Sequence, residues 1–369
     1  MAIVHDYLTQ KGGAERVVLT LAQGFPGARI YTSCYEPGGT YDDFRSLDIT
    51  TSPLNHIGPI RRDPRRGVLL LAPAFASLKV PGDALIVSSS AWAHGVHADA
   101  PVVVYCHSPA RWLHQPERYA AGSAGGSRNL GLAARLLSAT AGVPLRRWDQ
   151  RSMHRADRVV VNSTAIARRV ADVYGIEAEV LPPAPALLAG GEEAPVADLE
   201  PGFWLTVARL LPYKNVTSVL EVAATRPAER FVIVGDGPLR DTIVATAPAN
   251  VRLLTETTDA QLRWLYRSAS GLLAPAHEDF GLTPLEAASF ATPTIALRAL
   301  GHLDTIIEGT TGVFFDDLAV SSISRGLDTA IETRFDPADL EAQAERFGAD
   351  RFVARMHEIV ADATSAAAG

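Results

Sequence analysis

Short apolar runs alternate with helical patterns along most of this chain, and this alternation is the feature that most restricts its fold. Nearly all of the runs are continuously apolar, which is typical of strands buried on both faces of a parallel sheet. The repeated β-α-β-α order predicts α/β architecture. The predicted strands are Ala2–His5, Arg29–Thr32, Ala84–Ser88, Val102–Cys106, Arg158–Asn162, Phe203–Val207, Phe231–Val234, Val251–Leu254, Gly271–Ala274 and Thr294–Leu297. The predicted helices between them include Ala14–Gln23, Ala165–Tyr174, Asp259–Arg267 and Pro284–Phe290.

The strands fall into two groups, which predicts two domains. A stretch rich in proline, glycine and acidic residues, Leu181–Gly202, separates the groups and is typical of a linker. The chain has 369 residues, 47% of them hydrophobic, and is therefore long enough for two cores. We predict a first Rossmann-like domain over residues 1–185, a linker over 186–202 and a second Rossmann-like domain over 203–348. Such sheets bind ligands beyond the carboxyl ends of their strands, so a ligand cleft between the domains is expected.

The tail after residue 336 has the pattern of two helices. Asp336 is suited to cap the first helix, with Pro337 in its first turn. No predicted strand follows, so the last helix needs a surface on which to pack.

Cysteine content and hydropathy exclude several classes of protein. Cys34 and Cys106 are far apart and provide neither a disulfide framework nor a zinc-binding spacing, which favours a reducing, cytoplasmic setting. The sequence shows no signal-peptide pattern and no apolar run of about 18 residues, so a transmembrane helix is not expected.

The formal net charge of −7 does not favour nucleic acid as a partner, but the charge is unevenly distributed. Residues 101–175 contain 11 Arg and four acidic residues, which gives this stretch a charge of +7. The hexamer Arg61–Arg66 contains four Arg and one Asp. These segments are interpreted either as ordinary solvated surface or as contacts to phosphates or an anionic membrane.

Two glycine turns follow predicted strands. Gly12 and Gly13 precede the first helix, where glycine lets the backbone approach a ligand and the helix N-terminus favours an anion. The pair is equally typical of a plain turn, as is the later Gly235-Asp236-Gly237 segment. The fingerprint Gly-x-Gly-x-x-Gly is absent, which disfavours an NAD-dependent dehydrogenase.

Charged residues after two strands of the second domain have the chemistry of a diphosphate and sugar site. Arg209 and Lys214 follow the strand Phe203–Val207 and provide two cations. Glu278 is predicted in a loop and Glu286 in the following helix. Ionised carboxylates accept strong hydrogen bonds from sugar hydroxyls, and amides at a helix start suit phosphate. Surface pairs without a ligand remain the alternative interpretation.

Four elements match, in order, the motifs of a known family. They are Gly12-Gly13-Ala14-Glu15, Tyr105-Cys106-His107-Ser108-Pro109, the Arg-x4-Lys element Arg209–Lys214 and the Glu-x7-Glu element Glu278–Glu286. With them the chain resembles glycosyltransferase family 4, a large retaining group with the GT-B fold, over nearly its whole length. The resemblance implies two Rossmann-like domains whose parallel sheets face each other across a cleft. It also implies that residues 349–369 pack back on the first, acceptor-side domain.

The resemblance implies a role for each matched residue in a retaining hexosyltransferase. Arg209 and Lys214 would neutralise the donor diphosphate as the bond to the sugar breaks. Glu278 would bind hydroxyls of the donor sugar and Glu286 those of the ribose. His107 would reach the sugar near the reacting carbon. The candidate catalytic residues are therefore His107, Glu278, Arg209 and Lys214.

The backbone completes the donor site that the resemblance implies. Amides of Phe280, Gly281 and Leu282 would hold the phosphates and the sugar, while Gly12 and Gly13 would face the phosphates across the cleft. No Asp-x-Asp motif is present, so neither a metal nor an organic cofactor is expected.

Two positions depart from the family pattern. Ala291 stands where the family usually has glycine in Glu-Ala-x-x-x-Gly-x-Pro, and Leu300-Gly301 stands where a glycine pair is common. A residue other than glycine is harmless there if φ is negative and costly if φ is positive.

The segments His107–Trp112 and His5–Leu8 are similar to bacterial mannosyltransferases that build surface polysaccharides. This similarity makes GDP-mannose the expected donor and a UDP-sugar its alternative. The expected acceptor is a glycan or a polyprenyl-diphosphate-linked glycan at the inner face of the plasma membrane. The arginines expected on the acceptor or membrane side are Arg61, Arg62, Arg65, Arg66, Arg111, Arg146 and Arg147.

Other functions share parts of this pattern. A nucleotide-sugar epimerase fits the Glu-x7-Glu element less well, and a GT-B phosphorylase needs a pyridoxal-binding lysine and a longer chain. A non-catalytic sugar-binding GT-B module is disfavoured because Arg209, Lys214, Glu278 and Glu286 are all present.

Overall fold

The computed structural model describes residues 1–114 and 142–368, and these form two compact units. Unit 1 contains residues 1–114, 142–184 and 349–368, and unit 2 contains 185–348. The chain passes into unit 2 after residue 184, at the start of the stretch predicted as a linker. Each unit has its own parallel sheet with apolar cores, as the alternating pattern predicts.

Unit 1 is built on seven parallel strands in the order β3-β2-β1-β4-β5-β6-β7. The strands are β1 (Ala2–His5), β2 (Arg29–Thr32), β3 (Ile49–Thr51), β4 (Leu85–Ser89), β5 (Val102–Cys106), β6 (Arg158–Val161) and β7 (Glu179–Val180). Strand order runs outward in both directions from the β1–β4 pair, so the carboxyl ends of these two strands form the topological switch point where α/β sheets bind ligands.

The helices of unit 1 cover its sheet with two apolar layers. Those that precede unit 2 in the described sequence are α1 (Gly13–Gly24), α2 (Gly58–Arg62), α3 (Val68–Ser77), α4 (Arg111–His114), α5 (Gly142–Met153) and α6 (Thr164–Tyr174). Local chemistry sets the ends of α6. The Ser163 hydroxyl accepts a hydrogen bond from the Ile166 amide at its start, and Gly175 takes the left-handed conformation, φ 68°, at its end.

Unit 2 has six parallel strands in the order β10-β9-β8-β11-β12-β13. The strands are β8 (Phe203–Val207), β9 (Phe231–Val234), β10 (Val251–Leu254), β11 (Ala269–Ala274), β12 (Thr294–Leu297) and β13 (Gly312–Phe315). The helices are α7 (Val216–Thr225), α8 (Arg240–Thr246), α9 (Asp259–Ser268), α10 (Leu282–Ser289), α11 (His302–Thr305), α12 (Val320–Glu332) and α13 (Pro337–Glu345). The Asp336 side chain accepts a hydrogen bond from the Ala338 amide, which confirms the predicted cap of α13.

The terminal helix α14 (Ala349–Ala368) belongs to unit 1 although it follows unit 2 in sequence. Phe352, Met356 and Ile359 are buried in one of the two apolar layers of unit 1, and the Phe352 ring meets Tyr105 of β5 edge-on at 5.5 Å between centroids. This is the return to the first domain that the resemblance implied. None of the helices in residues 1–114 and 142–368 has the length and hydropathy needed to cross a membrane.

Candidate active site

The predicted donor residues of unit 2 lie at the carboxyl edge of its sheet. The loop after β11 carries Glu278, and α10 begins at Leu282. Gly281 precedes α10 with φ 90°, a left-handed conformation that favours glycine. The backbone amides at this helix start lie at the positive end of the helix dipole, where an anion is favoured.

Lys214 and Glu278 are brought together across 64 residues of sequence. The Nζ of Lys214 donates a hydrogen bond to Oε1 of Glu278, and the two side chains are 12% and 27% exposed. Both line a small recess beyond the ends of β8 and β11. Other lining residues are Thr206, Ala208, Pro275 and Thr283. The recess therefore combines a cation, a carboxylate and a helix start.

Arg209, the second predicted cation, lies on the same loop as Lys214. Its Nη2 donates to the Tyr213 hydroxyl at 3.1 Å, and Nζ of Lys214 lies 5.3 Å from the centre of the Tyr213 ring. Tyr213 thus contacts both cations, Arg209 through its hydroxyl and Lys214 through its ring. No motif in the sequence marks Tyr213.

Glu286 is fixed by a buried phenol. Its carboxylate, on α10, accepts a hydrogen bond of 2.8 Å from the hydroxyl of Tyr266, and Glu286 is only 9% exposed. Burial, and then the nearby Glu286 carboxylate, raises the pKa of Tyr266 well above its usual value, so the phenol stays a proton donor. The Tyr266 ring in turn stacks on Phe290 at 5.6 Å.

A buried histidine lies behind the Gly281 turn, and no motif in the sequence marks it. A Cβ added at Gly281 would come within 2.9 Å of Cδ2 of His302. Nδ1 of His302 donates to the Leu297 carbonyl at 3.0 Å, and burial lowers the pKa of this imidazole. The neutral ring therefore helps to define the back of the turn without adding charge.

Both departures from the family pattern occupy left-handed backbone. Ala291 has φ 58° and Leu300 has φ 50°. The next residue, Gly301, packs directly on the backbone of Phe280, where an added Cβ would lie 2.2 Å from its Cα. The positive φ at Ala291 and Leu300 is therefore energetically costly for these residues. Glycine is required at position 301 because the backbone of Phe280 packs against it.

The glycine turn Gly235-Asp236-Gly237 packs against the loop that carries Arg209. A Cβ at Gly235 would lie 1.9 Å from the Ala208 carbonyl oxygen, and one at Gly237 would lie 2.7 Å from that of Leu210. These glycines permit contact between two loops of the site.

The predicted residues of unit 1 lie around the switch point of its sheet. His107 follows β5 and is 8% exposed; its Nε2 lies 2.8 Å from the Ser88 hydroxyl. Burial, and then the neighbouring His5, lowers the pKa of His107 to about 3. Gly12 is the residue before α1, and a Cβ there would lie 2.6 Å from Oε2 of Glu15. Gly13 is the first, exposed residue of α1.

The carboxylate of Asp6 has a structural role. Its two oxygens accept hydrogen bonds from four successive backbone amides after β4, those of Ser90, Ala91, Trp92 and Ala93, at 2.5–3.1 Å. This interaction fixes the loop after β4 beside the switch point.

Three arginines of the basic hexamer lie close to carboxylates, one outside the hexamer and one within it. Arg61 contacts Glu36 at 2.9 Å, Arg65 contacts Asp63 at 2.8 Å, and Arg66 lies 3.7 Å from the same carboxylate. These three side chains and Arg62 remain substantially exposed to solvent.

The other predicted arginines belong to two helices of unit 1. Arg111 begins α4, and Arg146 and Arg147 lie on α5. Part of the basic stretch 101–175 falls outside the described residues. Trp112 and Trp148 pack on Trp92 at 5.0 and 5.4 Å between ring centroids, which makes them part of the core.

No group of three metal-ligating side chains is assembled in the part of the chain that the structure describes. The expectation that no metal takes part stays a prediction.

Two family models match the two halves of the chain. Residues 11–184 match "Glycosyltransferase Family 4", and residues 192–347 match "Glycosyl transferases group 1". Together the matches include all four motifs that carry the family resemblance.

Solved structures share the fold over almost the whole chain. Sucrose-phosphate synthase of Thermosynechococcus elongatus superposes with a TM-score of 0.72 at 16% identity and covers 99% of this chain and 100% of its own. HepE of Anabaena in complex with UDP-glucose gives 0.68 at 16% identity, with 98% and 99% covered. These likenesses confirm the GT-B fold.

Curated relatives match part of the chain. The D-inositol 3-phosphate glycosyltransferase of Acidothermus cellulolyticus is 31% identical over 193 residues, 44% of this chain and 42% of that protein. The protein of the same name from Mycobacterium bovis is 27% identical over 204 residues, 49% of this chain and 42% of that protein. The matched segment spans less than half the length of either relative.

Proposed function

We propose that this chain, whose two halves match glycosyltransferase family models, transfers a sugar from a nucleotide-sugar donor to an acceptor hydroxyl with retention of anomeric configuration. The observation that carries the proposal is the Lys214–Glu278 pair beside the Gly281 turn at the carboxyl edge of the unit 2 sheet. This arrangement places a cation, a carboxylate and helix-start amides in one recess.

The proposed chemistry follows from where charge develops. As the bond between sugar and diphosphate breaks, negative charge grows on the leaving phosphate, and preorganised cations and amides stabilise it. Lys214 and Arg209 provide the cations, and the amides at Phe280, Gly281 and Leu282 provide the dipoles. Glu278 holds Lys214 and binds the sugar hydroxyls, while no metal or organic cofactor takes part.

Glu286 is proposed to bind the two ribose hydroxyls of the nucleotide. The Tyr266 phenol occupies one carboxylate oxygen, Oε2, and orients the group. An ionised carboxylate accepts such hydrogen bonds more strongly than a neutral group.

The donor is proposed to be a UDP-sugar, because HepE, which shares the fold, is described in complex with UDP-glucose. GDP-mannose, favoured by the similarity of the His107–Trp112 segment to mannosyltransferases, is the second candidate. The acceptor is proposed to be a glycan or a polyprenyl-diphosphate-linked glycan. The name of the curated relatives makes a phosphorylated polyol the alternative acceptor.

A thermal-shift panel of UDP, GDP, ADP and dTDP tests the donor proposal. A nucleotide at 100 times its Kd stabilises the folded protein by about 2.7 kcal/mol. We expect UDP or GDP to raise the Tm in the wild type and Glu286→Ala to reduce this shift. Glu332→Ala, on the exposed surface of the same unit, is the matched control. If none of the four nucleotides raises the Tm at millimolar concentration, the transferase proposal fails.

A basic surface on unit 1 supports peripheral contact with the inner face of the plasma membrane. Ile57, Leu69 and Leu70 are 41–47% exposed and flank the basic hexamer Arg61–Arg66 in sequence. Apolar side chains beside cations suit an anionic lipid surface.

Vesicle sedimentation tests this contact. We expect binding to vesicles of phosphatidylglycerol and phosphatidylcholine at low salt, weaker binding as salt rises, and none to pure phosphatidylcholine. Replacing Arg62, Arg65 and Arg66 with alanine should reduce binding, whereas replacing the exposed Arg325 of unit 2 should not. Absence of binding to anionic vesicles at low salt would disprove the membrane contact.

A further inference from the structure

Four polar side chains of unit 1 form a continuous buried chain from α1 to the loop after β5. Oε1 of Glu15 lies 3.8 Å from Nε2 of His5, Nδ1 of His5 lies 3.0 Å from the Ser88 hydroxyl, and that hydroxyl lies 2.8 Å from Nε2 of His107. None of the four is more than 8% exposed. The family motifs include Glu15 and His107 but leave their connection through His5 and Ser88 without a function.

The sheet topology assembles this chain. His5 ends β1 and pairs in register with Ser88 of the neighbouring β4, and β5, which precedes His107, is the next strand. Glu15 is in the first turn of α1. All four residues therefore meet at the switch point, where ligands of such sheets bind.

A backbone carbonyl fixes the position of the first proton among these four side chains. Nδ1 of His5 lies 3.1 Å from the Ser88 carbonyl oxygen, which only accepts hydrogen bonds. Nδ1 of His5 must therefore carry a proton, and it shares that proton between the carbonyl and the hydroxyl of Ser88.

The second proton follows from the Ser88 hydroxyl, which has one hydrogen to donate. Since His5 donates to this oxygen, the remaining acceptor among the described residues is Nε2 of His107 at 2.8 Å. In the opposite arrangement His107 donates, and the fully buried Ser88 proton has no acceptor in the described part of the chain. Burying a donor without a partner costs about 1–3 kcal/mol.

We infer that Ser88, His5 and Glu15 hold His107 as a neutral imidazole whose proton is on Nδ1. His107 then presents an N–H donor, and within residues 1–114 and 142–368 the structure shows no acceptor for it. Its partner is an oxygen of the substrate, a sugar hydroxyl or a phosphate oxygen. His107 is a hydrogen-bond donor, and it does not act as a general base at this nitrogen. The substrate part of this inference rests on the proposed function, whereas the position of the proton does not.

The charges around the chain agree with this proton arrangement. Burial lowers the pKa of His5, but hydrogen bonding and charge from Glu15, followed by the charge of Asp6, more than offset this effect and leave the pKa raised. Burial, and then positive charge on His5, lowers the pKa of His107 to about 3, so His107 stays neutral. Glu15, Asp6 and His107 are thus the titratable groups around His5.

Long-range proton–nitrogen NMR of the 15N-labelled protein measures the tautomer directly. The ring signals of His107 are assigned by their loss in His107→Gln or by backbone-to-ring correlation in the wild type. We expect Nδ1 to have the shift of a protonated nitrogen and Nε2 that of an unprotonated one at neutral pH. A protonated Nε2 would overturn the inference without any variant.

The matched variants are Ser88→Ala and Ser89→Ala, which remove neighbouring buried hydroxyls of the same strand. Ser88→Ala should move the His107 proton wholly or partly to Nε2 and lower kcat about tenfold with little change in KM, because one positioned hydrogen bond is lost. Ser89→Ala, whose hydroxyl contacts His94, should leave the tautomer as it is. An unchanged His107 tautomer in Ser88→Ala contradicts the role given to Ser88.

The two proposals fail separately. If a nucleotide binds but His107 is protonated on Nε2, the tautomer inference is wrong and the transferase proposal stands. If His107 is protonated on Nδ1 but no nucleotide binds, the substrate role falls and the proton assignment stands.

Discussion

Ala291 and Leu300, which follow α10, have backbone conformations that are unfavourable for residues other than glycine, with φ 58° and 50°. Left-handed backbone costs about 1–2 kcal/mol for such residues. The loop from Leu300 leads into Gly301, which packs on Phe280 beside the proposed phosphate-binding amides. Strain is therefore stored close to the candidate site.

Replacing Ala291 with glycine should relieve part of this strain. We expect the free energy of unfolding to rise by about 0.5–1 kcal/mol, since the gain is partly offset by the greater freedom of glycine in the unfolded chain. Ala288→Gly within α10 is the control and should lower stability by a similar amount. Urea denaturation measures both, and a loss of stability in Ala291→Gly contradicts the strain argument.

The Tyr266–Glu286 hydrogen bond gives a second residue-scale prediction. Tyr266→Phe removes only the hydroxyl and leaves a buried carboxylate one donor short, so stability should fall by about 1.5–3 kcal/mol. Nucleotide affinity should also fall, because Glu286 loses its fixed orientation. Tyr213→Phe, at the more exposed loop of Arg209, should change stability much less. If wild type and Tyr266→Phe bind the nucleotide with equal affinity, the Tyr266 hydroxyl has no role in ribose binding.

At the scale of single residues, the charged residues of the candidate site are predictable from the sequence where a motif marks them. Lys214 and Glu278 were placed in one site, and the structure joins them. Tyr266 and His302 carry no such mark, because a buried tyrosine or histidine in sequence has the pattern of ordinary core. Ser88 and His5 were likewise not connected, since their contact depends on β1 and β4 being neighbours.

Among the elements, two of the three strands that were not predicted, β3 and β7, are weak in pattern. All ten predicted strands are present, but β3, β7 and β13 were not predicted. β3 is half-buried and β7 has two residues, so neither shows a continuous apolar run. A strand that is short or only partly covered has little hydrophobic signal.

The helix α14 gives the prediction at the element scale. Met356 is fully buried in the core of unit 1, so Met356→Ala should cost about 2–5 kcal/mol. Hydrogen exchange should speed up in β1 and β5 of unit 1 while β8 and β11 of unit 2 keep their protection. Asp362→Ala, on the exposed face of the same helix, is the control. Loss of protection confined to unit 2 would contradict the assignment of α14.

For the molecule as a whole, buried neutral histidines make stability depend on pH. His107 in unit 1 and His302 in unit 2 both have lowered pKa values, about 3 for His107. Between that value and about 6.5 the unfolded chain binds protons that the folded chain does not, so stability falls as pH falls. His5 acts oppositely: its raised pKa contributes stability below about 6.5 that is lost as pH rises through the folded value.

The free energy of unfolding should therefore be highest near neutral pH. Each lowered histidine adds a slope of up to about 1.4 kcal/mol per pH unit on the acid side. His107→Gln should reduce that slope by about one group's share, and His154→Gln, at an exposed position, should leave it unchanged. Urea titrations across the acid range measure the slopes. If the free energy of unfolding has the same slope against acid pH in wild type and His107→Gln, His107 is not held in its neutral form by the fold.

The placement of α14 also has a consequence for how the protein is made. Residues 1–184 leave the ribosome first, but their core lacks Phe352, Met356 and Ile359 until α14 has been synthesised. In the part of the chain that the structure describes, unit 2 is a continuous stretch from 185 to 348 and has no such requirement. During translation the later-synthesised half can therefore complete its fold before the earlier half does, which leaves an open apolar face on the nascent N-terminal half for chaperones to cover.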